Sequence, residues 1–349
     1  MRKIITYNLL VFISLFFLLE IFTGKLIYPK KLDCVYLSCD RTFFYNFSTP
    51  NGKIRNFYKK DEWGFRGREK NIDKIDILVV GGSTTNQKFI PLEKTWTEQL
   101  EDLYKTNNKK IDIVNAGIDG QSTVGHIWNF ENWFFKINSL KAKYIFFYIG
   151  INDQFTNKKL NNQNEKLKNK FFNLLKQNNG ITNKLYQKVY KKIFLKNNVY
   201  VGHFILPKDE SYKLAINKII ITDQHRVYFR DNLKKIKELT ILSGSEPVFI
   251  TQKTLRGIEV NSKILSIDER DFFSYEKEVA KIIMDFCYEE NINCVDINKK
   301  IKFEKDDFYD LIHTNQKGSK KISEIIYSNL NNLLESFIAH SNSCIICYI

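Results

Sequence analysis

The chain has 349 residues, a formal net charge of +15 and an apolar content of 43%. This apolar content is enough to bury a full core, which excludes an intrinsically disordered chain. Only five prolines are present, so no long proline-rich linker divides the chain. No nucleic-acid-binding motif accompanies the positive charge, and nucleic acid is therefore not an expected partner.

The N-terminus carries a nearly continuous apolar run over residues 4–23, which follows Arg2 and Lys3 and contains one charge, Glu20. Twenty helical residues span about 30 Å, the thickness of a bilayer core. No small-x-small cleavage site follows the run. The sequence therefore predicts an uncleaved single-pass membrane anchor over 1–24, and a buried core helix is the alternative.

The orientation of this anchor is not decided by charge, because cations lie on both sides of the apolar run. Long domains can be translocated regardless of charge. We therefore expect the rest of the chain to lie in the periplasm or another extracytoplasmic space.

An irregular linker is predicted over 25–72. Within it, Cys34 and Cys39 flank a short loop and could form a disulfide outside the cytoplasm. The stretch 62–68 places two aromatic residues beside two arginines. We expect a turn that packs on the core, and closure over a functional site is the alternative.

Four further cysteines have no assigned pairing. Cys287 and Cys294 lie in a helix-like and a strand-like run, where both can be buried. Cys344 and Cys347 have the spacing of half a zinc site, but no second pair with histidine support follows them. The sequence therefore predicts neither a metal nor another cofactor.

Beyond the linker, short apolar runs typical of buried parallel strands alternate with helix-like stretches. The strands are predicted at 76–80, 111–115, 144–149, 247–251 and 294–297, and the helices at 93–106, 122–139, 212–243, 269–289 and 316–337. This alternation predicts one α/β domain over 73–340, a three-layer α/β/α sandwich around a five-stranded parallel sheet, followed by a tail over 341–349.

A lysine-rich helical insertion is predicted over 154–211, because this stretch is too long for a simple connection. Residues 158–196 contain eleven lysines and a single acid, Glu165. A solvated helical face explains this charge. The alternative is a surface that meets anionic lipid headgroups or an acidic polysaccharide.

A serine follows the first predicted strand in the segment Gly81-Gly82-Ser83-Thr84-Thr85. The glycines let the backbone turn sharply and leave room beside Ser83. Ligands bind at this carboxyl edge of open α/β sheets. An ordinary turn between strand and helix is the alternative.

The next two predicted strands also end in groups that can donate a hydrogen bond. Gly120 lies in the glycine-rich segment 115–122 and can offer its backbone N–H to a developing negative charge. Asn152, in the segment 148–153, can donate from its side-chain amide. A plain glycine loop and an Asx turn that caps a helix are the alternatives.

The last motif is Asp310-Leu311-Ile312-His313, after the fifth predicted strand. Three residues of separation place the two side chains on one side of a helical turn. Asp310 can then fix the tautomer of His313, and the other ring nitrogen is free to take a proton from a serine. A surface ion pair is the alternative.

The four motifs together, in this order, resemble the blocks of the SGNH/GDSL hydrolase superfamily, and they span residues 76–320. The resemblance implies a flavodoxin-like sheet in which Ser83 is the nucleophile, His313 the base and Asp310 its partner. It also implies an oxyanion hole made by the N–H groups of Ser83 and Gly120 and the amide of Asn152, with no cofactor. Gly82 departs from the family pattern, which usually has Asp there; membrane-anchored relatives often carry Gly-Gly-Ser.

The predicted function is a serine esterase that removes acyl groups, with acetyl the expected one, from cell-surface carbohydrate. The alternatives are an O-acyltransferase acting on exported polysaccharide with the same triad, a lipid esterase, and a non-catalytic glycan-binding or scaffold protein. Two other histidines are weaker candidates. His225, near Asp223, is expected to be structural, and His126 is expected to pack in a helix.

Overall fold

The computed structural model describes residues 2–23, 32, 34, 36–40, 42–49, 52–153, 199–200, 212–267 and 269–343. Most of the predicted insertion at 154–211 and most of the tail at 341–349 therefore lie outside the described residues. The lysine-rich stretch 158–196 lies wholly outside them.

The described strands are β1 (Thr42–Thr49), β2 (Gly52–Lys59), β3 (Ile75–Gly81), β4 (Ile113–Asn115), β5 (Ala142–Tyr148), β6 (Val199–Tyr200), β7 (Lys213–Leu214), β8 (Glu246–Ile250), β9 (Gly257–Val260), β10 (Lys263–Ser266) and β11 (Asn293–Val295). The described α-helices are α1 (Arg2–Thr23), α2 (Ser83–Asn86), α3 (Trp96–Thr106), α4 (Thr123–Asn132), α5 (Asp223–Leu242), α6 (Phe272–Glu289), α7 (Ile297–Lys300) and α8 (Gln316–Ser343). Short 3-10 helices occupy Leu92–Lys94, Phe134–Lys136 and Lys305–Asp307.

The central sheet has five parallel strands in the order β11-β8-β5-β3-β4. This is the flavodoxin-like order, in which the first strand of the sheet has the second and the third as its neighbours. The predicted α/β fold with a five-stranded parallel sheet is confirmed.

Both faces of the sheet are covered, which explains why its strands are apolar runs without alternation. Ile77 and Val79 of β3 face a core shared with Trp96 of α3 and Ile326 of α8. Leu78 and Val80 face the opposite core, which α4, α5 and α6 cover. The result is a sandwich of helix, sheet and helix layers.

The predicted irregular linker differs from the structure, because β1 and β2 form an antiparallel hairpin that pairs Thr42 with Lys59 at its open end. The parallel strand β6 extends this small sheet. Aromatic residues favour strands, and β1 contains Phe43, Phe44 and Tyr45 in succession. A regular hairpin therefore precedes the central sheet in the chain.

The predicted helix at 212–243 also differs from the structure. Its first part forms β7, which joins β9 and β10 in a second small sheet. The helix begins only at Asp223, where the hydroxyl of Thr222 accepts a hydrogen bond from the backbone N–H of His225. This N-cap sets the start of α5.

The predicted transmembrane helix is not supported. Residues Arg2–Thr23 do form one helix, but among the described residues no helix is long and apolar enough to cross a membrane.

The stretch 62–68 packs on the core as a turn, as predicted. Phe65 is buried and its ring stacks on Trp133 with the centroids 4.9 Å apart. The indole N–H of Trp133 donates to the carbonyl of Trp63 at 2.7 Å. This turn therefore attaches the hairpin to the α4 side of the domain.

The four cysteines that the structure describes form two disulfides. Cys34 pairs with Cys39, as the short loop between them suggests, and Cys287 at the end of α6 pairs with Cys294 in β11. The second bond ties the edge strand of the central sheet to its covering helix.

Candidate active site

Ser83 is the first residue of α2, directly beyond the carboxyl end of β3. A Cβ atom on Gly81 would lie 2.1 Å from Oγ1 of Thr85 and 2.7 Å from the carbonyl oxygen of Tyr148. No side chain fits in that space. The glycine before the serine turn is therefore required for β3 to lie against β5 while the chain turns into α2.

A hydrogen-bonded chain connects Ser83, His313 and Asp310. The Nε2 atom of His313 lies 2.7 Å from Oγ of Ser83, and its Nδ1 atom lies 2.7 Å from Oδ2 of Asp310. Because the carboxylate only accepts, Nδ1 carries a proton and Nε2 of the neutral ring is an acceptor for the serine hydroxyl. The structure thus brings together the three residues of the predicted triad.

The motif that carries Asp310 and His313 is not the helical turn expected from its spacing. It is an irregular loop before α8, in which Oδ1 of Asp310 accepts the backbone N–H groups of Ile312 and His313 at 2.8 and 2.7 Å. These bonds bend the loop so that the two side chains meet. The ring of Tyr309 stacks on that of His313, with centroids 5.6 Å apart, and holds it from one side.

Gly120 lies in an exposed turn with φ +72°, a conformation that favours glycine. The backbone N–H of Gln121 closes this turn on the carbonyl of Ile118 at 3.3 Å. Within the described part of the chain, the backbone N–H groups of Ser83 and Gly120 have no acceptor. Both are therefore available to a ligand.

Asn152 joins the serine turn to the turn of Gly120. Its Nδ2 atom donates to the carbonyl of Gln121 at 2.9 Å and lies beside Gly82. An amide nitrogen has two hydrogens, so one remains for an oxyanion. The three predicted oxyanion donors thus lie on loops that are packed against one another.

Sequence reasoning missed the polar residues that bind Asn86, the last residue of α2. The hydroxyl of Tyr58 donates to Oδ1 of Asn86 at 2.7 Å, and Nδ2 of Asn86 donates to Asp119 at 2.8 Å. Arg66 donates to the carbonyl of Asn86 and, at 2.5 Å, to that of Ile90. Tyr58 and Arg66 both come from the predicted linker. Arg66 belongs to the stretch 62–68, for which closure over a functional site is the alternative, whereas no local pattern marks Tyr58.

Two buried cations stand behind these loops. Burial lowers the pKa of Lys60 to about 8 and that of Arg66 to about 10. The Nζ atom of Lys60 lies 3.5 Å from the carbonyl oxygen of Gly117, in the segment that leads to Gly120. Positive charge in a place of low polarity favours anions on the nearby loops.

Asp153, next to Asn152, is also buried, and burial raises the pKa of its carboxyl to about 7. It accepts the backbone N–H and the hydroxyl of Thr123 at 3.0 and 2.5 Å. Asn232 of α5 donates to the same hydroxyl at 2.9 Å. Asp153 therefore ties the Asn152 turn to the first turn of α4.

The two weaker histidine candidates lie elsewhere. His225 sits in the first turn of α5, and His126 is buried in α4 with 1% of its surface exposed. Burial lowers the pKa of His126 to about 3, so this side chain is neutral at physiological pH. Both fit the structural roles expected for them.

Among the described residues, Glu304, Asp306 and Asp307 are close enough to share a cation. Lys317 reaches Asp306 and Lys321 reaches Asp307, each at 2.7 Å. These ammonium groups already neutralise the carboxylates, so the arrangement is an ion-pair cluster at the start of α8.

No protein-family model matches the chain, and no curated protein matches it by sequence. The chain is similar to solved structures at low identity. A member of the lipolytic protein G-D-S-L family from Veillonella parvula is 15% identical, with 73% of this chain and 97% of that chain covered and a TM-score of 0.43.

A putative acylhydrolase from Bacteroides fragilis is 12% identical, with 77% and 91% of the chains covered and a TM-score of 0.40. An acetyl xylan esterase from Geobacillus stearothermophilus is 15% identical, with 73% and 94% covered and a TM-score of 0.41. At these values the likeness decides nothing about the activity of this chain.

Proposed function

We propose that the chain is a serine esterase of the SGNH type that hydrolyses acyl esters of carbohydrates, with Ser83, His313 and Asp310 as its triad. The observation that carries the proposal is the unbroken chain of 2.7 Å hydrogen bonds from Ser83 through His313 to Asp310. This arrangement can raise the nucleophilicity of a serine hydroxyl.

In the first step, Oγ of Ser83 attacks the ester carbonyl carbon while Nε2 of His313 takes the hydroxyl proton. The N–H groups of Ser83 and Gly120 and the amide of Asn152 stabilise the oxyanion. The bond to the sugar oxygen then breaks, and this oxygen receives the proton from His313. Asp310 stabilises the transient imidazolium.

In the second step, water attacks the acyl-serine and gives a proton to His313. The ester bond to Ser83 breaks, Oγ regains the proton, and a free carboxylic acid leaves. The triad returns to its starting state, so the cycle needs no metal and no cofactor.

Carbohydrate as the alcohol part of the ester is supported by the rings beside His313. Tyr309 stacks on the imidazole, and Phe89 meets Tyr309 edge to face with centroids 6.3 Å apart. Tyr45 of the hairpin packs on Phe89 at 5.0 Å. Such a row of partly exposed aromatic rings offers apolar surface to the C–H faces of a sugar, and we propose an acetyl group as the acyl part.

We further propose an extracytoplasmic location. The pairs Cys34–Cys39 and Cys287–Cys294 support it, because disulfides persist in oxidising compartments. Binding of anionic lipid or polysaccharide by the lysine-rich insertion stays a prediction.

The test is turnover of p-nitrophenyl acetate and of an acetylated xylo-oligosaccharide by the purified full chain. A Ser83→Ala variant is compared with Ser245→Ala. The second variant removes a buried hydroxyl that donates to the carbonyl of Ala142, the first residue of β5, at the opposite end of the strands from Ser83. We expect the first variant to lose activity and the second to keep it. Equal background rates in all three proteins would contradict the proposal.

Adding an unacetylated oligosaccharide to the same reaction separates hydrolysis from transfer. Release of free acetate at an unchanged rate supports an esterase. Movement of acetyl onto the added sugar, abolished by Ser83→Ala, would instead show an O-acyltransferase.

A further inference from the structure

Two buried glutamines connect the separate parts of the candidate site. We propose that Gln87 and Gln252 are positioning residues: Gln252 sets the place of Asn152 relative to Ser83, and Gln87 sets the place of His313 relative to Ser83. The inference rests on the proposed function, since it assigns these roles within that site.

Gln252 lies in the loop after β8, with 5% of its surface exposed. Its Oε1 atom accepts the backbone N–H of Ile151 at 3.0 Å, and its Nε2 atom donates to Oγ1 of Thr84 at 2.7 Å. Ile151 precedes Asn152 and Thr84 follows Ser83. A single planar amide therefore spans the gap between an oxyanion donor and the nucleophile.

The backbone of Gln252 is itself held, because Nδ2 of Asn298 donates to its carbonyl at 2.9 Å. Asn298 also donates its backbone N–H to Oγ1 of Thr251 at 3.0 Å. The amide of Gln252 thus projects from a loop that is fixed to α7 and cannot easily shift its two contacts.

Gln87 directly follows α2, with 2% of its surface exposed and a left-handed backbone at φ +44°. Its Nε2 atom donates to Oγ of Ser319 at 2.6 Å and to Oγ1 of Thr314 at 3.2 Å. Its Oε1 atom accepts the backbone N–H of Trp96 at 2.8 Å. Thr314 follows His313, so this amide ties the serine helix to the histidine loop.

Amides suit both places because one side chain must donate on one side and accept on the other. Removing Gln252 leaves the buried N–H of Ile151 without its acceptor, and removing Gln87 does the same to that of Trp96. Neither amide bonds to Ser83 Oγ or to His313. They can therefore affect the reaction only by changing the distances of Asn152 and His313 from Ser83. A misplacement of about 1 Å can cost about 10²-fold in rate.

The two roles predict different kinetic signatures. Methionine matches glutamine in length but makes neither bond. Gln87→Met should lower kcat by about 10- to 100-fold. It should also shift the acidic limb of the pH profile of kcat/KM, because His313 loses its fixed contact with Ser83. Gln252→Met should lower kcat by a similar factor and leave the acidic limb in place, because it disturbs an oxyanion donor. KM for p-nitrophenyl acetate should change less than about twofold in both.

A double-mutant cycle connects Gln87 to its partner. Ser319→Ala removes the shorter contact of the Gln87 amide and lies outside the reacting groups. We expect the combined variant to be little worse than Gln87→Met alone, because both changes break one link. Ser245→Ala serves as the matched control for loss of a buried hydrogen bond far from the site.

Two measurements separate this inference from the proposed function. Labelling of Ser83 by a fluorophosphonate reports whether the serine is activated in the wild-type chain. NMR of the His313 imidazole and of the Asn152 side-chain amide reports positions without turnover. Failure of wild-type labelling and hydrolysis would overturn the esterase proposal alone, and the NMR signals would still decide the positioning roles.

The positioning proposal is supported if Gln87→Met moves the imidazole signals of His313, and Gln252→Met moves the amide signals of Asn152. It is overturned if these signals stay at their wild-type positions. It is also overturned if kcat falls no further than in Ser245→Ala at equal thermal stability.

Discussion

The Nδ2 atom of Asn152 lies 2.6 Å from the position that a Cβ atom would take on Gly82. This separation explains the glycine immediately before Ser83, because a side chain at that position would meet the amide of Asn152. The amide of Asn152 occupies the space that a side chain on Gly82 would need, so the place of this proposed oxyanion donor depends on the glycine.

Gly82→Ala should therefore displace the amide of Asn152. Its backbone φ of −85° suits any residue, and the atom that must move is the end of a side chain. We expect a loss of about 10²–10³ in kcat, as for one oxyanion donor, with stability changed by less than about 1 kcal/mol. Kinetics with p-nitrophenyl acetate and thermal unfolding test both parts.

Asn152→Ala provides the comparison for that variant. It should lose as much activity as Gly82→Ala, and the double variant should lose little more, because both remove one donor. Full additivity of the two losses would contradict the dependence of Asn152 on Gly82.

Asp310→Asn should lower kcat by about 10⁴ at pH 7. The amide can still accept the backbone N–H groups of Ile312 and His313, so the loop should keep its shape. The amide nitrogen, placed against Nδ1, favours the wrong tautomer of His313. Circular dichroism and thermal unfolding verify the fold, and a loss of less than about tenfold would exclude Asp310 from the triad.

His126 should make the protein sensitive to acid. Burial lowers its pKa to about 3 in the folded state, against about 6.5 when unfolded. Below pH 6.5 the unfolded chain takes up a proton that the folded chain does not, so stability falls as the pH drops. Between pH 7.5 and pH 5 this group alone should cost about 2 kcal/mol.

His126→Gln removes this titration. Urea unfolding of both proteins at pH 7.5 and pH 5 isolates the contribution, since the other groups are common to both. An identical loss of stability in wild type and variant over this interval would show that His126 ionises freely.

Lys60 should change stability in the same direction, but at alkaline pH. Burial lowers its pKa to about 8 in the folded state, against about 10.5 unfolded. Above pH 8 the folded chain releases a proton that the unfolded chain keeps, so stability rises with pH. From pH 7 to pH 9.5 the gain should be about 2 kcal/mol.

Unfolding of Lys60→Met over the same pH interval checks this assignment. The variant should lack this rise in the free energy of unfolding. The stability of the variant minus that of the wild type should therefore be greater at pH 7 than at pH 9.5. A parallel pH dependence in the two proteins would count against a buried ammonium at this position.

Local patterns in the sequence were enough to predict the five-stranded parallel sheet and the places of Ser83, Gly120 and Asn152. Each of these residues lies in the segment that follows an apolar strand, and the carboxyl ends of parallel strands meet at one edge of a sheet. Asp310 and His313 are close in sequence, so their contact is local as well. The hairpin at 42–59 carries strand-forming aromatic residues, yet the sequence analysis predicts an irregular linker there.

Tertiary structure alone decided what holds the site in place. Gln87 and Ser319 are 232 positions apart, Gln252 and Thr84 are 168 apart, and Tyr58 and Asn86 are 28 apart. A glutamine or tyrosine carries no periodic signal that reveals such a partner. A buried amide or hydroxyl must be hydrogen-bonded, but which group satisfies it depends on how the layers pack, and this appears only when the chain is folded.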